Sequence, residues 1–252
     1  MPPRHRLDGI VIRQQPIAEA DIIVSLVSAD QGRVDVLARG ARKSSKRFAG
    51  GIALFSEISA VTEQGRGHLP TLLESSLDTA FLHLTPTYGQ LALASYVVEM
   101  AACASQPSHA DPGLYAWLRD SLALCETVDE HALRTPRLAI EIGFLQALGV
   151  CPDLQSCSQC GQDTASGGTW QDADAGLVCT RCLPAVPDTL PPALVRALVL
   201  WSLAPAEPPV DRLPASPALR VAEKRVAVLL GHVLSNPLRS AAALHDLLRF
   251  EA

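Results

Sequence analysis

Aromatic residues are scarce in this chain of 252 residues, at 4% of the total. The shortage is greatest in residues 1–80, where Phe48 and Phe55 are the only aromatic side chains. Proteins that hold single-stranded nucleic acid commonly stack bases on aromatic side chains, and this segment is too poor in them to build such a platform. Phe48 adjoins a basic segment and is the one candidate there for stacking on a base. Phe55 begins a predicted strand and is expected in the core.

Long apolar runs are also missing. The two most apolar stretches are interrupted by Glu99 and Arg196, so neither provides the run of about 18 uncharged apolar residues typical of a membrane span. The opening sequence MPPRHRLDG carries charge but lacks the apolar stretch of a secretory signal. The sequence therefore predicts a cytoplasmic protein with no membrane partner. Cysteines in that setting indicate metal ligands or free thiols before disulfides.

Motifs of common enzyme classes are not found either. The sequence contains no GxSxG, GxxxxGK[ST] or GxGxxG pattern. Its seven histidines are scattered without the spacing of metal ligands and are interpreted as ordinary surface or core residues. No catalytic residue is predicted, and the protein is not expected to be an enzyme. A nuclease site built from carboxylates that meet only in the folded chain stays open as an alternative.

Lysine is rare, with Lys43, Lys46 and Lys224 the only three, and two of them fall in the segment RGARKSSKR at residues 39–47. This segment carries five cations and no acid, although the net charge of the chain is −5. Such a concentration of cations favours a local site for a polyanion, with nucleic acid bound through its phosphates as the main candidate. A solvated charged loop without a specific partner is the alternative. The five cations are Arg39, Arg42, Lys43, Lys46 and Arg47.

The periodicity of apolar residues divides the chain into two parts. Residues 7–78 alternate as short strands at about ten-residue spacing, which predicts a small barrel or sandwich with the basic segment on a long exposed loop. From Thr79 the apolar residues follow a helical period. The sequence thus predicts an α+β protein with a β-domain at 1–80 and a helical domain at 81–252. Asp111 is expected to cap one of the helices.

Five of the seven cysteines lie in an insert at residues 151–183. Two Cys-x2-Cys pairs are separated by eighteen residues, which is the spacing of a tetrathiolate zinc site. Four thiolates leave no open position for water, so we expect one structural zinc ion. Free thiols or two local disulfides are the alternative. Cys151 stands outside the pairs and is not expected to bind zinc, and Cys103 and Cys125 are expected in the helical core. The predicted ligands are Cys157, Cys160, Cys179 and Cys182.

Two segments, ARGARKSSKRFAGGIALFSEI and FLQALGVCPDLQSCSQCG, resemble in content and order the RecO family of bacterial recombination mediators. The resemblance extends over essentially the whole chain. It implies an N-terminal OB-fold, a helical C-terminal domain with an inserted zinc finger, and no catalytic activity. It also implies that the five cations of residues 39–47 contact DNA and that the four paired cysteines bind zinc.

The same resemblance implies a function and a set of partners. RecO-like proteins bind single- and double-stranded DNA, anneal complementary strands and help to load the recombinase RecA onto DNA covered by single-strand-binding protein. They work with RecR, in some bacteria with RecF, and contact the acidic-hydrophobic C-terminal tail of single-strand-binding protein. A cytoplasmic, nucleoid-associated location follows. The alternative is a zinc-stabilised interaction scaffold of a repair complex with little DNA binding of its own.

Overall fold

The computed structural model of the protein describes residues 3–44, 46–48, 52–64, 67–82, 86–171, 176–184, 186–204 and 216–249. The chain divides into two compact units, Met1–Glu126 and Thr127–Ala252. Among the described residues, the first unit contains the five strands of a barrel and two α-helices, and the second contains a small sheet and four α-helices. The boundary placed near residue 80 on sequence grounds stays a prediction.

Five strands of the first unit close into a barrel in the order β1-β2-β3-β5-β4. All neighbours are antiparallel except β3 and β5, which are parallel where Leu37 pairs with Thr71. This Greek-key barrel of five strands has the arrangement of an OB-fold, so the predicted fold class is confirmed. The strands are β1 (Arg4–Pro16), β2 (Ile22–Ser28), β3 (Gly32–Ala38), β4 (Ser56–Glu63) and β5 (Thr71–Ala80).

The barrel encloses a core of alternating apolar side chains. Along β4, every second residue from Ser56 to Thr62 is buried and the residues between are partly exposed, as expected for a strand with one face on a core. The inward residues of the other strands complete the interior with aliphatic side chains. Members of this core include Leu7, Val11, Val24, Leu26, Val36, Ile58 and Leu72.

Helices α1 (Tyr88–Ala104) and α2 (Pro112–Thr127) follow the barrel. The Asp111 carboxylate accepts a hydrogen bond from the Leu114 N–H at 2.9 Å, which confirms the predicted helix cap. The burial predicted for Cys125 is confirmed, but that predicted for Cys103 is wrong, because Cys103 is exposed. Cys103 lies on the exposed side of α1, as Leu91 does, and the buried residues of the helix lie on its other side.

The second unit starts with α3 (Arg134–Ala147), which packs against α4 (Pro192–Leu203) and α5 (Pro217–Val233). Between α3 and α4, three short strands form an antiparallel sheet in the order β7-β6-β8. These are β6 (Gly168–Trp170), β7 (Leu177–Cys179) and β8 (Thr189–Leu190), and α6 (Ser240–Leu248) ends the unit. Among the residues that the structure describes, no helix is both long enough and apolar enough to cross a lipid bilayer.

Candidate nucleic-acid interface and metal centre

The basic loop, residues 39–47, is fixed against the loop that joins β1 to β2. The Asp21 carboxylate accepts a hydrogen bond from the Gly40 N–H at 2.8 Å, and the Ala20 carbonyl accepts one from the Arg42 N–H at 3.2 Å. Gly40 has φ +66°, a left-handed conformation that glycine adopts without strain. A short 3-10 helix, Ala41–Lys43, follows it. The loop is therefore held at the same end of the barrel as the β1–β2 loop, one of the two loops that OB-folds use for oligonucleotides.

All five cations of the basic loop are exposed, as the sequence predicted. The Lys43 ammonium lies 3.0 Å from the Glu19 carboxylate, and the two side chains are 65% and 88% exposed. The Arg42 guanidinium donates to the Glu19 carbonyl at 3.5 Å. Exposed ion pairs contribute about 0–1 kcal/mol, so a phosphate group can displace Glu19 from Lys43 at little cost.

Phe48 does not have the role that the sequence suggested. Its ring is 5% exposed and belongs to the barrel core, so the prediction of base stacking is wrong. Burying a phenyl ring stabilises a core by about 1.5–3 kcal/mol, which explains why the chain turns it inward where the basic loop ends. Phe55 is buried too, as predicted.

Arg47 is held in place on the outside of that buried ring. Its guanidinium carbon lies 5.0 Å from the Phe48 ring centroid, and its guanidinium donates a hydrogen bond to the Arg39 carbonyl. The Arg47 carbonyl accepts a hydrogen bond from the Ser75 N–H of β5 at 3.1 Å. Arg47 is thus both a surface cation and a structural link between the basic loop and the barrel.

Cations elsewhere on the barrel are largely balanced by acids. Arg6 lies 3.1 Å from the Asp8 carboxylate, and Arg4 lies 3.9 Å from that of Glu63. Arg13 is exposed on β1, and its side chain makes no ion pair with a described residue. The basic loop therefore holds the largest group of neighbouring cations among the described residues of the barrel, and Arg13 is an isolated exposed cation outside it.

Four cysteines of the second unit come together as a candidate metal centre. The sulfur atoms of Cys157, Cys160, Cys179 and Cys182 all lie within 4.8 Å of one another. The Cys160 and Cys179 sulfurs are 3.8 Å apart. A tetrahedral ion with Zn–S bonds of about 2.3 Å would place its sulfur ligands about 3.8 Å apart. The four thiols therefore fit a zinc ion in both chemistry and spacing. Cys151 lies outside this cluster, and burial raises its pKa to about 11.

Backbone amides favour the thiolate form of part of this cluster. The Cys179 N–H donates to the Cys157 sulfur at 3.3 Å, and this hydrogen bond is the main reason that the pKa of Cys157 is lowered to about 6. The pKa of Cys179 is lowered as well, chiefly by the Cys182 N–H. The pKa of Cys182 is raised to about 12, mainly through a hydrogen bond with the Cys160 thiol. The lowered pKa values of Cys157 and Cys179 favour metal binding, because a cysteine must lose its proton to become a metal ligand.

Local backbone structure shapes the two cysteine pairs. Gly161 follows the first pair with φ +70° and donates its N–H to the Cys157 carbonyl at 2.8 Å, the left-handed turn expected there. The second pair is closed by a Cys182 N–H to Cys179 carbonyl hydrogen bond at 3.1 Å. Strands β6 and β7 pair antiparallel between the two cysteine pairs, and residues 172–175, which join them, lie outside the described residues. Val178 packs in one buried cluster with Cys157 and Cys179.

The fold and the sites together define a class of protein: an OB-fold barrel with a cationic loop, joined to a helical region that carries a four-cysteine centre. Comparison with known families narrows this class. The family model described as "Recombination protein O N terminal" matches residues 1–81, and the one described as "Recombination protein O C terminal" matches residues 86–240. The chain therefore belongs to the RecO family.

Curated relatives agree with this assignment. The "DNA repair protein RecO" of Anaeromyxobacter dehalogenans is 32% identical over 253 residues, which cover 97% of each chain. The protein of the same name from Desulfatibacillum aliphaticivorans is 33% identical over 190 residues, or 72% of each chain. That from Myxococcus xanthus is 28% identical over 179 residues, which cover 71% of this chain and 72% of the relative.

Proposed function

We propose that the protein is a non-catalytic recombination mediator that binds single- and double-stranded DNA and anneals complementary strands. In this proposal it also assists the loading of RecA onto DNA coated by single-strand-binding protein. The observation that carries the proposal is the basic loop: five exposed cations on an OB barrel, in a chain whose net charge is −5. Membership of the RecO family supports the same reading.

Annealing by this loop needs no catalytic residue. Two DNA strands repel each other through their phosphates, and a cationic surface lowers that repulsion and raises the local concentration of both strands. Base pairing then supplies the sequence specificity. Five phosphate contacts to a single strand correspond to a slope of about −3.5 in a plot of log affinity against log salt concentration.

Equilibrium DNA binding tests the loop directly. The variant Arg39→Glu/Arg42→Glu/Lys46→Glu leaves Arg47 in its structural position and removes three phosphate contacts. We expect a large loss of affinity for single strands and a salt slope reduced to about −1.4. A matched control, Arg119→Glu/Arg220→Glu/Lys224→Glu, makes the same change in net charge at exposed positions elsewhere. Equal binding by the two variants would contradict the assignment of the DNA site.

We also propose that Cys157, Cys160, Cys179 and Cys182 bind one structural zinc ion. Support comes from the fit of the four sulfurs to tetrahedral zinc. Four thiolates fill all positions of a tetrahedral ion and leave none for water, which is typical of structural zinc. Metal analysis of the purified protein is expected to find close to one equivalent of zinc. Zinc-free protein of normal stability would contradict the proposal.

For the protein partners, we propose RecR, in some settings RecF, indirectly RecA, and the C-terminal tail of single-strand-binding protein. A groove of about 300 Å³ between the cysteine insert and α4 suits an acidic-hydrophobic tail. The apolar side chains of Val199, Leu200 and Leu203 line it, together with the charged side chains of Arg196 and Asp163. A cytoplasmic location near the nucleoid accords with these partners.

A labelled peptide with the acidic-hydrophobic sequence of such a tail tests this groove. Leu200→Ser is expected to weaken peptide binding, because it removes an exposed apolar contact without disturbing the core. Val228→Ser, which alters an equally exposed apolar residue on α5, serves as the control. If the wild-type protein binds the peptide but does not bind DNA, the result favours the scaffold alternative instead.

A further inference from the structure

The barrel face that OB-folds commonly use for oligonucleotides is largely covered along β2 in this protein. In β2, every residue except Ile23 is buried, including Ser25 and Ser28, so both faces of this strand are shielded. At the start of β3, the Arg33 N–H donates to the Gln106 carbonyl at 3.1 Å. A Cβ atom at Gly32 would lie 2.1 Å from the His109 carbonyl oxygen. On β3, Arg33, Asp35 and Leu37 stay partly exposed, but β2 contributes almost no accessible surface to the usual β2–β3 binding face.

The outer face of β4 and β5 is open instead. A groove of about 690 Å³ lies there, next to the basic loop. The pairing register places Arg6 of β1, Val61 of β4 and Glu74 of β5 in one row across the strands. Because the Arg47 carbonyl pairs with the Ser75 N–H, the basic loop borders β5. The groove thus has cations at both edges and carboxylates between them.

Hydrogen bonds hold one of these carboxylates in place. The Ser59 hydroxyl donates to the Asp78 carboxylate at 2.8 Å, and the Arg6 guanidinium donates to the Ser59 hydroxyl at 3.4 Å. Glu74 is exposed at the other end of the groove. The fixed position of Arg47 on Phe48 means that little conformational freedom is lost when a phosphate binds beside it.

We infer that this groove takes one DNA strand and discriminates against duplex, with phosphates on Lys46 and Arg47 and base edges on Glu74 and Asp78. Unpaired adenine, cytosine and guanine offer amino hydrogens on their pairing edges, and carboxylates accept such hydrogen bonds. In a duplex these edges are occupied by the partner strand. The second backbone would bring phosphates against the carboxylates. The inference deepens the proposed function and rests on it.

The test compares three probes at fixed salt: a single strand, a duplex and a base-free strand of equal length. Wild type is expected to bind the single strand more tightly than both others. Glu74→Gln/Asp78→Asn should bind the duplex more tightly than wild type does, by up to about fivefold for each charge removed. It should also bind the base-free strand as well as the normal strand. Asp30→Asn/Glu130→Gln removes the same charge at positions outside the groove and serves as the control.

The outcomes separate this inference from the proposed function. If wild type binds the base-free strand as tightly as the normal strand, the inference is overturned while DNA binding stands. The same holds if the groove variant and the control keep equal ratios of duplex to single-strand affinity. If wild type binds none of the three probes, the proposed function itself fails.

Discussion

At the residue scale, the adjacent residues Arg47 and Phe48 have different roles: Arg47 is exposed at the surface and Phe48 is buried in the barrel core. The ring of Phe48 faces the barrel core. The Arg47 guanidinium lies over the outer side of this ring and donates a hydrogen bond to the Arg39 carbonyl. The sequence showed that the basic run and the ring are neighbours. It did not show which way the ring turns, because an aromatic residue beside cations suits both a core and a base contact.

The burial of Phe48 predicts that replacing it lowers the stability of the barrel. Phe48→Ala should lower the free energy of unfolding by about 3–5 kcal/mol, because it leaves a cavity where the ring closes the core. Urea denaturation measures this change. Phe48→Leu keeps most of the apolar volume and should be considerably less destabilising. If Phe48→Ala left stability unchanged but abolished DNA binding, the ring would be a base contact after all.

A second residue-scale feature is the charge cluster inside the helical unit. Glu223 of α5 lies 2.9 Å from Arg134 and 2.7 Å from Arg137, both on α3, and its side chain is 11% exposed. Arg134 also donates to the Leu248 carbonyl at the end of α6. The Glu223 carboxylate therefore links α5 to α3, and Arg134 links α3 to α6. No pattern in the sequence indicated it, since Glu223 looked like one more acid on an exposed helix face.

Removing this charge should be costly. Glu223→Gln removes the carboxylate that Arg134 and Arg137 share, although Arg137 keeps its pair with Glu141 at 3.1 Å. Breaking a buried pair typically costs about 3–5 kcal/mol, and the retained pair places the expected loss at the lower end of this range. Thermal or urea unfolding of the variant is the measurement. Glu130→Gln, which alters an exposed pair with His131, should change stability by less than about 0.5 kcal/mol. Equal effects from the two substitutions would contradict a structural role for the cluster.

At the element scale, the cysteine insert was the part most fully predictable from sequence. Two Cys-x2-Cys pairs at this spacing have few other structural uses, and the four sulfurs meet as expected. The glycine after the first pair and the hairpin between the pairs also have local causes. The basic loop was less predictable. Its position between strands followed from periodicity, but its attachment to Asp21 and Ala20 depends on the register of the β2–β3 pairing, which places Ile22 beside Ala38.

The insert predicts a metal-dependent stability. Cys157→Ser/Cys160→Ser should lose the bound zinc and destabilise the helical unit, because structural zinc contributes directly to folding. Acidification should release the metal in the wild type, since each ligand must lose its proton to bind. Metal content and thermal unfolding together measure the effect. Cys103→Ser/Cys151→Ser changes two cysteines outside the cluster and should retain the zinc. Normal metal content in the first variant would contradict the ligand assignment.

At the scale of the whole molecule, charge is distributed unevenly. The chain is acidic overall, yet its exposed loop cations are gathered beside an open barrel groove. An acidic body limits non-specific coating of DNA, and a local cationic site still attracts phosphates over the short range that salt screening allows. This arrangement agrees with the proposed annealing function, in which strands are held briefly and released once they pair.

Annealing of two complementary strands, each coated with single-strand-binding protein, tests the central claim most directly. The wild-type protein is expected to accelerate pairing, measured by energy transfer between end labels. Arg39→Glu/Arg42→Glu/Lys46→Glu should not accelerate it, while the charge-matched control Arg119→Glu/Arg220→Glu/Lys224→Glu should behave as wild type. Pairing that proceeds at the same rate with wild type, with the loop variant and without protein would contradict the account.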